Sequence, residues 1–166
     1  MKFCGTVFKY GNDVNTDVIF PGRYLKVWEP AEMAKYAMED IDKDFAKKVK
    51  KGDIIVAGKY FGCGSSREQA ATCLKAAGVS VVIAESFARI FYRNAINLGL
   101  PIMVCPEITK IVEAGHQLEV EPTTGEVKNL TTGQTARAKV LPPFILEILS
   151  DGGLIPHLQK KLKKAS

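Results

Sequence analysis

Metal-binding and membrane-spanning patterns are absent from this sequence of 166 residues. Its four cysteines, Cys4, Cys63, Cys73 and Cys105, form no Cys-x-x-Cys pair, and its two histidines stand far from them in sequence. This spacing supports neither a zinc site nor a self-contained iron–sulfur site. No apolar run approaches the roughly 18 residues of a transmembrane helix, and no secretory signal is present. We therefore expect a cytoplasmic protein without membrane association.

Nucleic-acid-binding motifs are also missing, although the chain is basic. The formal net charge is +5, and lysines concentrate at residues 47–51 and 160–164. Neither run has interleaved aromatic residues for base stacking, and no helix-turn-helix or zinc finger is present. Solvated lysine faces are the favoured interpretation, so we expect no nucleic acid partner.

The most informative stretch that the sequence does contain is a glycine-rich turn at residues 60–67, Tyr-Phe-Gly-Cys-Gly-Ser-Ser-Arg. An apolar run at 53–58 precedes it and predicts a buried strand, and the alanine-rich stretch 68–77 after it predicts a helix. Glycine lets the backbone approach a ligand closely, and a helix start offers unpaired N–H groups that favour anions. Together with the planar guanidinium of Arg67, the pattern predicts a site for a carboxylate or phosphate.

A purely structural interpretation of the same serines is open. Ser65-x-x-Glu68 and Ser66-x-x-Gln69 each fit a capping box, in which the serine only closes the helix. The turn lacks the Gly-Lys-Ser/Thr of a Walker loop, the third glycine of a dinucleotide fingerprint and the Gly-x-Ser-x-Gly of a hydrolase elbow. Cys63 lies inside the turn, but no histidine stands near it in sequence to activate it as a nucleophile.

The order of the predicted elements indicates an α/β fold. Apolar strands at 53–58, 79–84 and 101–105 alternate with helices at 68–77 and 86–98. Such alternation predicts a parallel core. Because ligands of parallel sheets bind at the carboxyl ends of strands, the glycine-rich turn and the segment before the second helix are expected at one edge of the sheet.

Segments outside this core have other patterns. Residues 2–10 predict a first strand, which a polar loop over 11–25 follows. A helix is predicted over 30–41, and period-two alternation over 117–140 predicts antiparallel hairpins. A final amphipathic helix has an apolar stripe that predicts core or a subunit interface. We expect the whole chain, 1–166, to form one domain.

Three segments of the chain carry a resemblance to a known family. They are Asn15-Thr16-Asp17-Val18-Ile19 with Pro21-x-Arg23-Tyr24-Leu25, then Phe61-Gly62-Cys63-Gly64-Ser65-Ser66-Arg67-Glu68, and then Ser86-Phe87-Ala88-Arg89-Ile90-Phe91-Tyr92-Arg93-Asn94. In this order they resemble the small subunits of the aconitase superfamily, and within it those of the isopropylmalate dehydratases. The resemblance covers essentially the whole chain. It implies an aconitase-type swivelling domain, a β/β/α sandwich with a parallel strand–helix core and an added antiparallel hairpin region.

The resemblance implies an enzyme subunit that is active only with a partner. The reaction would be a hydro-lyase reaction on a small hydroxy-dicarboxylate, interconverting 2-isopropylmalate and 3-isopropylmalate in leucine biosynthesis. A separate large subunit would bind a [4Fe–4S] cluster through its own cysteines, and the cluster iron would act as Lewis acid on the departing hydroxyl. This chain would bind no metal and no cofactor itself.

The resemblance also implies roles for individual residues. Ser65 would be the catalytic base that removes a proton from the carbon next to a substrate carboxylate. Ser66, Arg67 and Arg23 would bind the substrate, and Asp17 would be a supporting acid there. Because a serine hydroxyl is a weak base at neutral pH, Ser65 needs the positive field of Arg67, the helix start and the partner's cluster.

Substrate choice is predicted from the segment after Leu25, which resembles a specificity loop and consists of Lys26, Val27 and Trp28. Val27 and Trp28 suit an isopropyl group, whereas Lys26 suits an additional carboxylate such as that of homoaconitate. The sequence favours isopropylmalate, with homoaconitase-type and dimethylmalate-type subunits as alternatives. An anion-binding or RNA-binding module without catalysis is a further alternative.

Overall fold

The protein consists of one seven-stranded sheet, eight α-helices and short connecting turns in a computed structural model that describes residues 1–165. The strands are β1 (Phe3–Lys9), β2 (Ile54–Ala57), β3 (Val81–Ala84), β4 (Ile102–Val104), β5 (Gln117–Glu121), β6 (Glu126–Asn129) and β7 (Thr135–Arg137). The helices are α1 (Thr16–Ile19), α2 (Pro30–Met33), α3 (Phe45–Lys48), α4 (Glu68–Ala77), α5 (Arg89–Asn97), α6 (Ile108–Ile111), α7 (Pro143–Ser150) and α8 (Leu154–Ala165).

The sheet joins a parallel half to an antiparallel half. Its strand order is β4-β3-β2-β1-β5-β6-β7, in which β1 to β4 are parallel and β5 to β7 are antiparallel to their neighbours. The segments that follow β1, β2 and β3 therefore leave the sheet at the same edge. The predicted α/β class, with a parallel core and added antiparallel hairpins, is confirmed.

Side chains of the parallel strands alternate between two hydrophobic clusters. On β2, Ile55 and Ala57 belong to the cluster under the helices, and Ile54 and Val56 belong to the cluster on the opposite face. This two-sided burial explains why the strand is apolar at every position. The second cluster also contains Leu118 of β5, so the antiparallel strands cover the face that the main helices leave open. The sheet halves and the helices form the predicted β/β/α layers.

The helix predicted over 30–41 is shorter in the structure. Helix α2 ends at Met33, a 3-10 turn follows over Ala34–Tyr36, and Ala37 is extended. Met38 then has a positive φ of 61°, and its N–H donates to the carbonyl of Ile19 at 2.7 Å. The predicted helix is thus interrupted before Met38, which is bonded to the last residue of α1, and no local sequence signal predicts such a tertiary bond.

The apolar stripe on α8 is exposed in this chain. Ile155 and Leu162 are 67% and 70% exposed, whereas the residue of α8 that is buried is His157. The core interpretation of the stripe is therefore wrong. Within residues 1–165, no helix is long and apolar enough to cross a membrane.

Candidate active site

Three loops meet at the carboxyl edge of β1, β2 and β3, and backbone hydrogen bonds connect them. The Phe61 N–H donates to the Ser86 carbonyl at 3.1 Å, and the Ala88 N–H donates to the Phe61 carbonyl at 2.9 Å. The Thr16 N–H donates to the Cys63 carbonyl at 2.8 Å. All three segments that carry the family resemblance are thus joined at the edge where the parallel core was expected to bind ligands.

Glycine is required at two positions of the turn between β2 and α4. Gly62 has a φ of +83°, and a Cβ there would lie 2.3 Å from Cβ and Cγ of Phe91. Gly64 has a φ of +95°. Larger residues are strained in this left-handed region, so the sequence Gly-Cys-Gly produces a tight turn that lies directly on α5.

The two serines of the turn do not cap the following helix. Helix α4 begins at Glu68, and its N-cap is Arg67, which has an extended backbone and makes no capping bond with its side chain. Ser65 and Ser66 precede the cap and are exposed. Neither hydroxyl makes a hydrogen bond within residues 1–165. The capping-box interpretation is therefore wrong, and both hydroxyls face solvent without a structural partner.

The backbone of the turn directs its carbonyl groups inward. The carbonyls of Cys63 and Ser65 accept from Thr16, the latter from the Thr16 hydroxyl at 2.9 Å. The N–H groups of Ser65, Ser66 and Arg67 have no acceptor in the described part of the chain. Unpaired N–H groups before a helix of ten residues, together with its dipole, are able to act as a cradle for an anion.

Arg67 is fixed beside this cradle by Asp17. Its Nη1 donates to Asp17 Oδ1 at 2.6 Å and to the Phe20 carbonyl at 3.1 Å. The Arg67 side chain is 19% exposed, and its Nη2 makes no hydrogen bond to any residue from 1 to 165. One edge of the guanidinium is therefore bound by the protein, and donors remain for a carboxylate ligand.

Asp17 is ionised at neutral pH. The hydrogen bond from Arg67 and then the backbone N–H of Gly22, 3.0 Å from Asp17 Oδ1, hold the pKa of Asp17 below its usual value. A carboxylate in this state accepts hydrogen bonds and does not donate a proton. Asp17 therefore holds the Arg67 guanidinium through an ion pair at 2.6 Å.

Arg23 is bound to two carboxylates at the side of the site. Its guanidinium makes a two-point contact with Asp40, at 2.7 and 3.1 Å, and lies 3.0 Å from Glu39. It also lies over the ring of Tyr24, 4.8 Å from the centroid. The Arg23 charge contributes to the lowered pKa of Asp17, which places the two residues in one electrostatic neighbourhood.

The predicted specificity loop lies next to the start of α4. Trp28 is 77% exposed. An open cavity of about 280 Å³ is lined by Trp28, Met33, Glu68, Gln69 and Thr72. A second cavity beside it is lined by Lys26, Val27, Trp28, Glu29 and Glu32. The loop therefore presents a large apolar side chain within one turn of the Arg67 cap.

The cysteines are dispersed through the fold and do not fit an iron–sulfur cluster. Cys73 and Cys105 are buried in the two different hydrophobic clusters, and Cys4 is exposed. Burial, together with the charge of Asp13, raises the pKa of Cys63 above its ordinary value. Because the thiolate is then disfavoured at neutral pH, Cys63 does not have the character of a nucleophile.

A cluster of possible metal ligands, Glu147, Asp151 and His157, lies on α7, on α8 and in the turn between these two helices. Asp151 accepts from His157 Nδ1 at 2.8 Å and from Lys160 Nζ at 3.1 Å. Both hydrogen bonds, with the Lys160 charge, lower the pKa of Asp151. The lysine ammonium therefore already satisfies the carboxylate where a cation would bind.

Known proteins match this chain closely. The profile of the aconitase C-terminal domain family matches residues 14–107, which is more than half of the chain and includes all three motifs. The chain belongs to this family. The predicted resemblance to the aconitase superfamily is thereby confirmed.

Relatives within the aconitase family are similar to this chain over nearly its whole length. It is 58% identical to the isopropylmalate/citramalate isomerase small subunit of Methanocaldococcus jannaschii, over 97% of this chain and 96% of the relative. It is 55% identical to the 3-isopropylmalate dehydratase small subunit of Caldicellulosiruptor bescii, over 99% of both chains. It is 52% identical to the 2,3-dimethylmalate dehydratase small subunit of Eubacterium barkeri, over 95% of this chain and 97% of the relative.

The fold also matches an aconitase-family crystal structure. A 3-isopropylmalate dehydratase structure from Methanocaldococcus jannaschii superposes with a TM-score of 0.94 at 44% identity. The match covers 99% of this chain and 98% of that one. The predicted fold is therefore that of a solved member of the family.

Sequence reasoning missed two residues that hold this site together. Thr16 binds the glycine-rich turn through both its backbone and its hydroxyl, and Asp40 binds Arg23. A signal for Thr16 exists, because it belongs to the first resemblance motif and directly precedes Asp17, although only Asp17 was assigned a role. Asp40 gives no such signal, because it becomes a neighbour of Arg23 only through the chain reversal after α2.

Proposed function

We propose that this chain is the small subunit of a hydro-lyase that dehydrates and rehydrates an alkyl-substituted malate, with isopropylmalate as its substrate. The full-length relatives named as isopropylmalate, citramalate and dimethylmalate enzymes support this reaction class. Their named substrates are small hydroxy acids with an alkyl substituent. The exposed Trp28 beside α4 supports the alkyl part of the proposal, because it offers apolar surface to such a substituent.

The observation that carries the proposal is the combination of Arg67 with the serine turn. Arg67 is held by Asp17 through one nitrogen and keeps other donors free. Beside it lie unpaired backbone N–H groups and two exposed hydroxyls that have no capping role. A purely structural turn has no need of this set of unused donors, whereas a carboxylate substrate is bound by it.

Each residue of the turn has a distinct task in the proposed reaction. Arg67 and Ser66 bind the carboxylate next to the carbon that loses its proton, and Ser65 accepts that proton. The negative charge that develops on this carboxylate is stabilised by Arg67 and by the start of α4. The same positive field makes the Ser65 alkoxide accessible, which a free serine at neutral pH is not.

Arg23 is proposed to bind the second carboxylate of the substrate. Its present partners are Asp40 and Glu39, so this binding requires an exchange of one protein carboxylate for a substrate carboxylate. Lys26 makes no ion pair within residues 1–165 and would favour a substrate with a further carboxylate. The same loop thus contains a tryptophan that would favour isopropylmalate and a lysine that would favour homoaconitate.

The proposed enzyme includes a large subunit with a [4Fe–4S] cluster, as the resemblance to the aconitase superfamily implies. The four dispersed cysteines of this chain are consistent with that division, because they cannot hold a cluster together. When bound by that subunit, the cluster supplies a Lewis acid for the hydroxyl that leaves. The small subunit contributes the carboxylate cradle and the base. The small-subunit designation of the relatives supports a two-chain enzyme.

The proposal is tested by reconstitution of the chain with its large subunit, loaded anaerobically. Turnover is compared for 3-isopropylmalate, citramalate, 2,3-dimethylmalate and homoaconitate, and each chain is also assayed alone. We expect the highest kcat/KM for 3-isopropylmalate, and activity only when both chains are present. A preference for homoaconitate would assign the specificity to Lys26. An intact cluster with no turnover of any of these acids would contradict the proposed reaction class.

A further inference from the structure

Within residues 1–165, Thr16 is distinguished from the other buried polar side chains by its hydrogen-bond partners. It is 2% exposed, and the other three buried polar or charged residues are Asp53, Asn129 and His157. Asp53 accepts from the backbone N–H groups of Thr6 and Lys50, Asn129 donates to the Ile111 carbonyl, and His157 bonds to Asp151. Thr16 alone of the four bonds to the turn that carries the proposed catalytic serine.

Two hydrogen bonds from Thr16 fix the turn on both sides of Gly64. The Thr16 N–H donates to the Cys63 carbonyl at 2.8 Å, and the Thr16 hydroxyl donates to the Ser65 carbonyl at 2.9 Å. Gly64, between them, has a φ of +95° and no side chain that could restrict its rotation. The orientation of the two peptide groups therefore depends on Thr16.

This orientation determines where the donors of the turn point. In a trans peptide, the carbonyl and the following N–H point in opposite directions. Because Thr16 binds the Cys63 and Ser65 carbonyls from the inside, the N–H groups of Gly64 and Ser66 are directed outward. Rotation of either peptide would turn a carbonyl oxygen toward the substrate anion in place of a donor.

We propose that Thr16 is a positioning residue, which aims the Ser66 N–H at the substrate carboxylate and fixes the backbone of Ser65. This inference rests on the proposed function for its catalytic consequence. Its structural consequence, an ordered turn, does not depend on the reaction. Asn15 and Asp17 flank Thr16 and bind Val18 and Arg67, so the three consecutive side chains hold α1, the turn and the arginine respectively.

The test uses variants that separate the hydroxyl from the volume of Thr16. Thr16→Val removes the donor and keeps the shape, Thr16→Ser keeps the donor, and Thr16→Ala is a smaller variant in case valine prevents folding. Ser80→Ala is the matched control, because the Ser80 hydroxyl also donates to a backbone carbonyl, that of Gly52 at 2.8 Å, at the opposite end of the strands.

The first readout is the order of the turn in the isolated chain. Backbone ¹⁵N order parameters of residues 63–67 should fall in Thr16→Val from the rigid value of about 0.85 toward 0.6, and should stay at the wild-type value in Thr16→Ser and Ser80→Ala. This measurement decides the structural part even if the chain proves inactive with its partner. Unchanged order in both Thr16→Val and Thr16→Ala would overturn the inference.

The second readout is turnover in the two-chain enzyme. We expect Thr16→Val to lower kcat about 10- to 100-fold, because small misplacements of reacting groups cost up to about 100-fold. Thr16→Ser should restore kcat to within about threefold of wild type, as an interaction through the hydroxyl requires. An inactive wild type would refute the proposed function. An active wild type whose kcat survives Thr16→Val, or is lost equally in Thr16→Ser, would refute the role of Thr16.

Discussion

Gly62→Ala tests whether the glycine-rich turn lies against Phe91 as the structure describes. A Cβ at residue 62 would be 2.3 Å from two atoms of Phe91, so the turn or helix α5 has to shift. The left-handed backbone costs an alanine about 1–2 kcal/mol, and overpacking of a filled site costs about 1–3 kcal/mol more. The expected loss in the free energy of unfolding is therefore about 2–5 kcal/mol.

Two other glycines separate the packing cost from the backbone cost. Gly64 has a φ of +95°, but its nearest neighbours would lie 3.5 Å from an added Cβ, an ordinary contact distance. Gly64→Ala should therefore lose only the backbone cost of about 1–2 kcal/mol. Gly11 has open space around it and no positive φ, so Gly11→Ala should stay within about 0.5 kcal/mol of wild type or above it.

The assay is urea unfolding of the three variants and the wild type, with thermal unfolding in parallel. A common slope with denaturant lets the midpoints be compared directly. For a chain of this size, about 1 kcal/mol shifts Tm by roughly 2–4 °C, so Gly62→Ala should melt about 4–20 °C below wild type. If Gly62→Ala proved no less stable than Gly64→Ala, the close contact between the turn and Phe91 would be refuted.

Three further predictions concern the site. Arg67→Lys should lower kcat/KM at least about 100-fold, because the ammonium cannot present a planar fork to both Asp17 and a carboxylate. Asp17→Asn should lower activity through the loss of the Arg67 contact. Because Arg67 lowers the folded-state pKa of Asp17, any stability from this pair is present above the ordinary carboxyl pKa and is lost as pH falls through the lower folded value. The Tm difference between wild type and Asp17→Asn should therefore be constant from about pH 5 to 8 and shrink below about pH 4. Trp28→Ala should lower kcat/KM for isopropylmalate about 10-fold, whereas Lys26→Met should leave it unchanged and reduce only any turnover of homoaconitate.

These predictions have clear contrary results. Full activity of Arg67→Lys in steady-state assays would mean that a point charge is enough and that the fork is not used. A difference between wild type and Asp17→Asn that disappears already near neutral pH would contradict the lowered pKa of Asp17. If Trp28→Ala kept the wild-type kcat/KM on all four acids of the reconstitution assay, the loop would have no part in substrate selection.

Local chemistry predicted the centre of the site well. The strand before residue 60, the helix that begins at Glu68 and the tight turn between them follow from apolar runs, alanines and glycines, and all three are found. The shared edge with Ser86 followed from the general rule for parallel strands, and the structure has that contact. The capping boxes failed because the extended backbone of Arg67 moves the helix start beyond both serines.

Non-local pairing accounts for what the sequence could not predict. Strand β1 lies parallel to β2, with Val7 opposite Ile54, and this pairing brings the loop after β1 to the serine turn. No local signal selects that partner, so the importance of Asp17 followed only from the family resemblance and not from its local sequence. The partners of Arg23 depended in the same way on the break of the predicted helix before Met38, where a long-range hydrogen bond overrides helix propensity.

The most direct test of the account is turnover of 3-isopropylmalate by the reconstituted two-chain enzyme with Ser65→Ala, against Ser80→Ala as control. Removal of the proposed base should lower kcat about 100- to 10,000-fold with the fold and the assembly with the large subunit intact. Ser80→Ala should keep the wild-type kcat, since its hydroxyl bonds to Gly52 at the opposite end of the strands. Retention of kcat in Ser65→Ala would contradict the assignment of Ser65 as the base and place the proton transfer on another group.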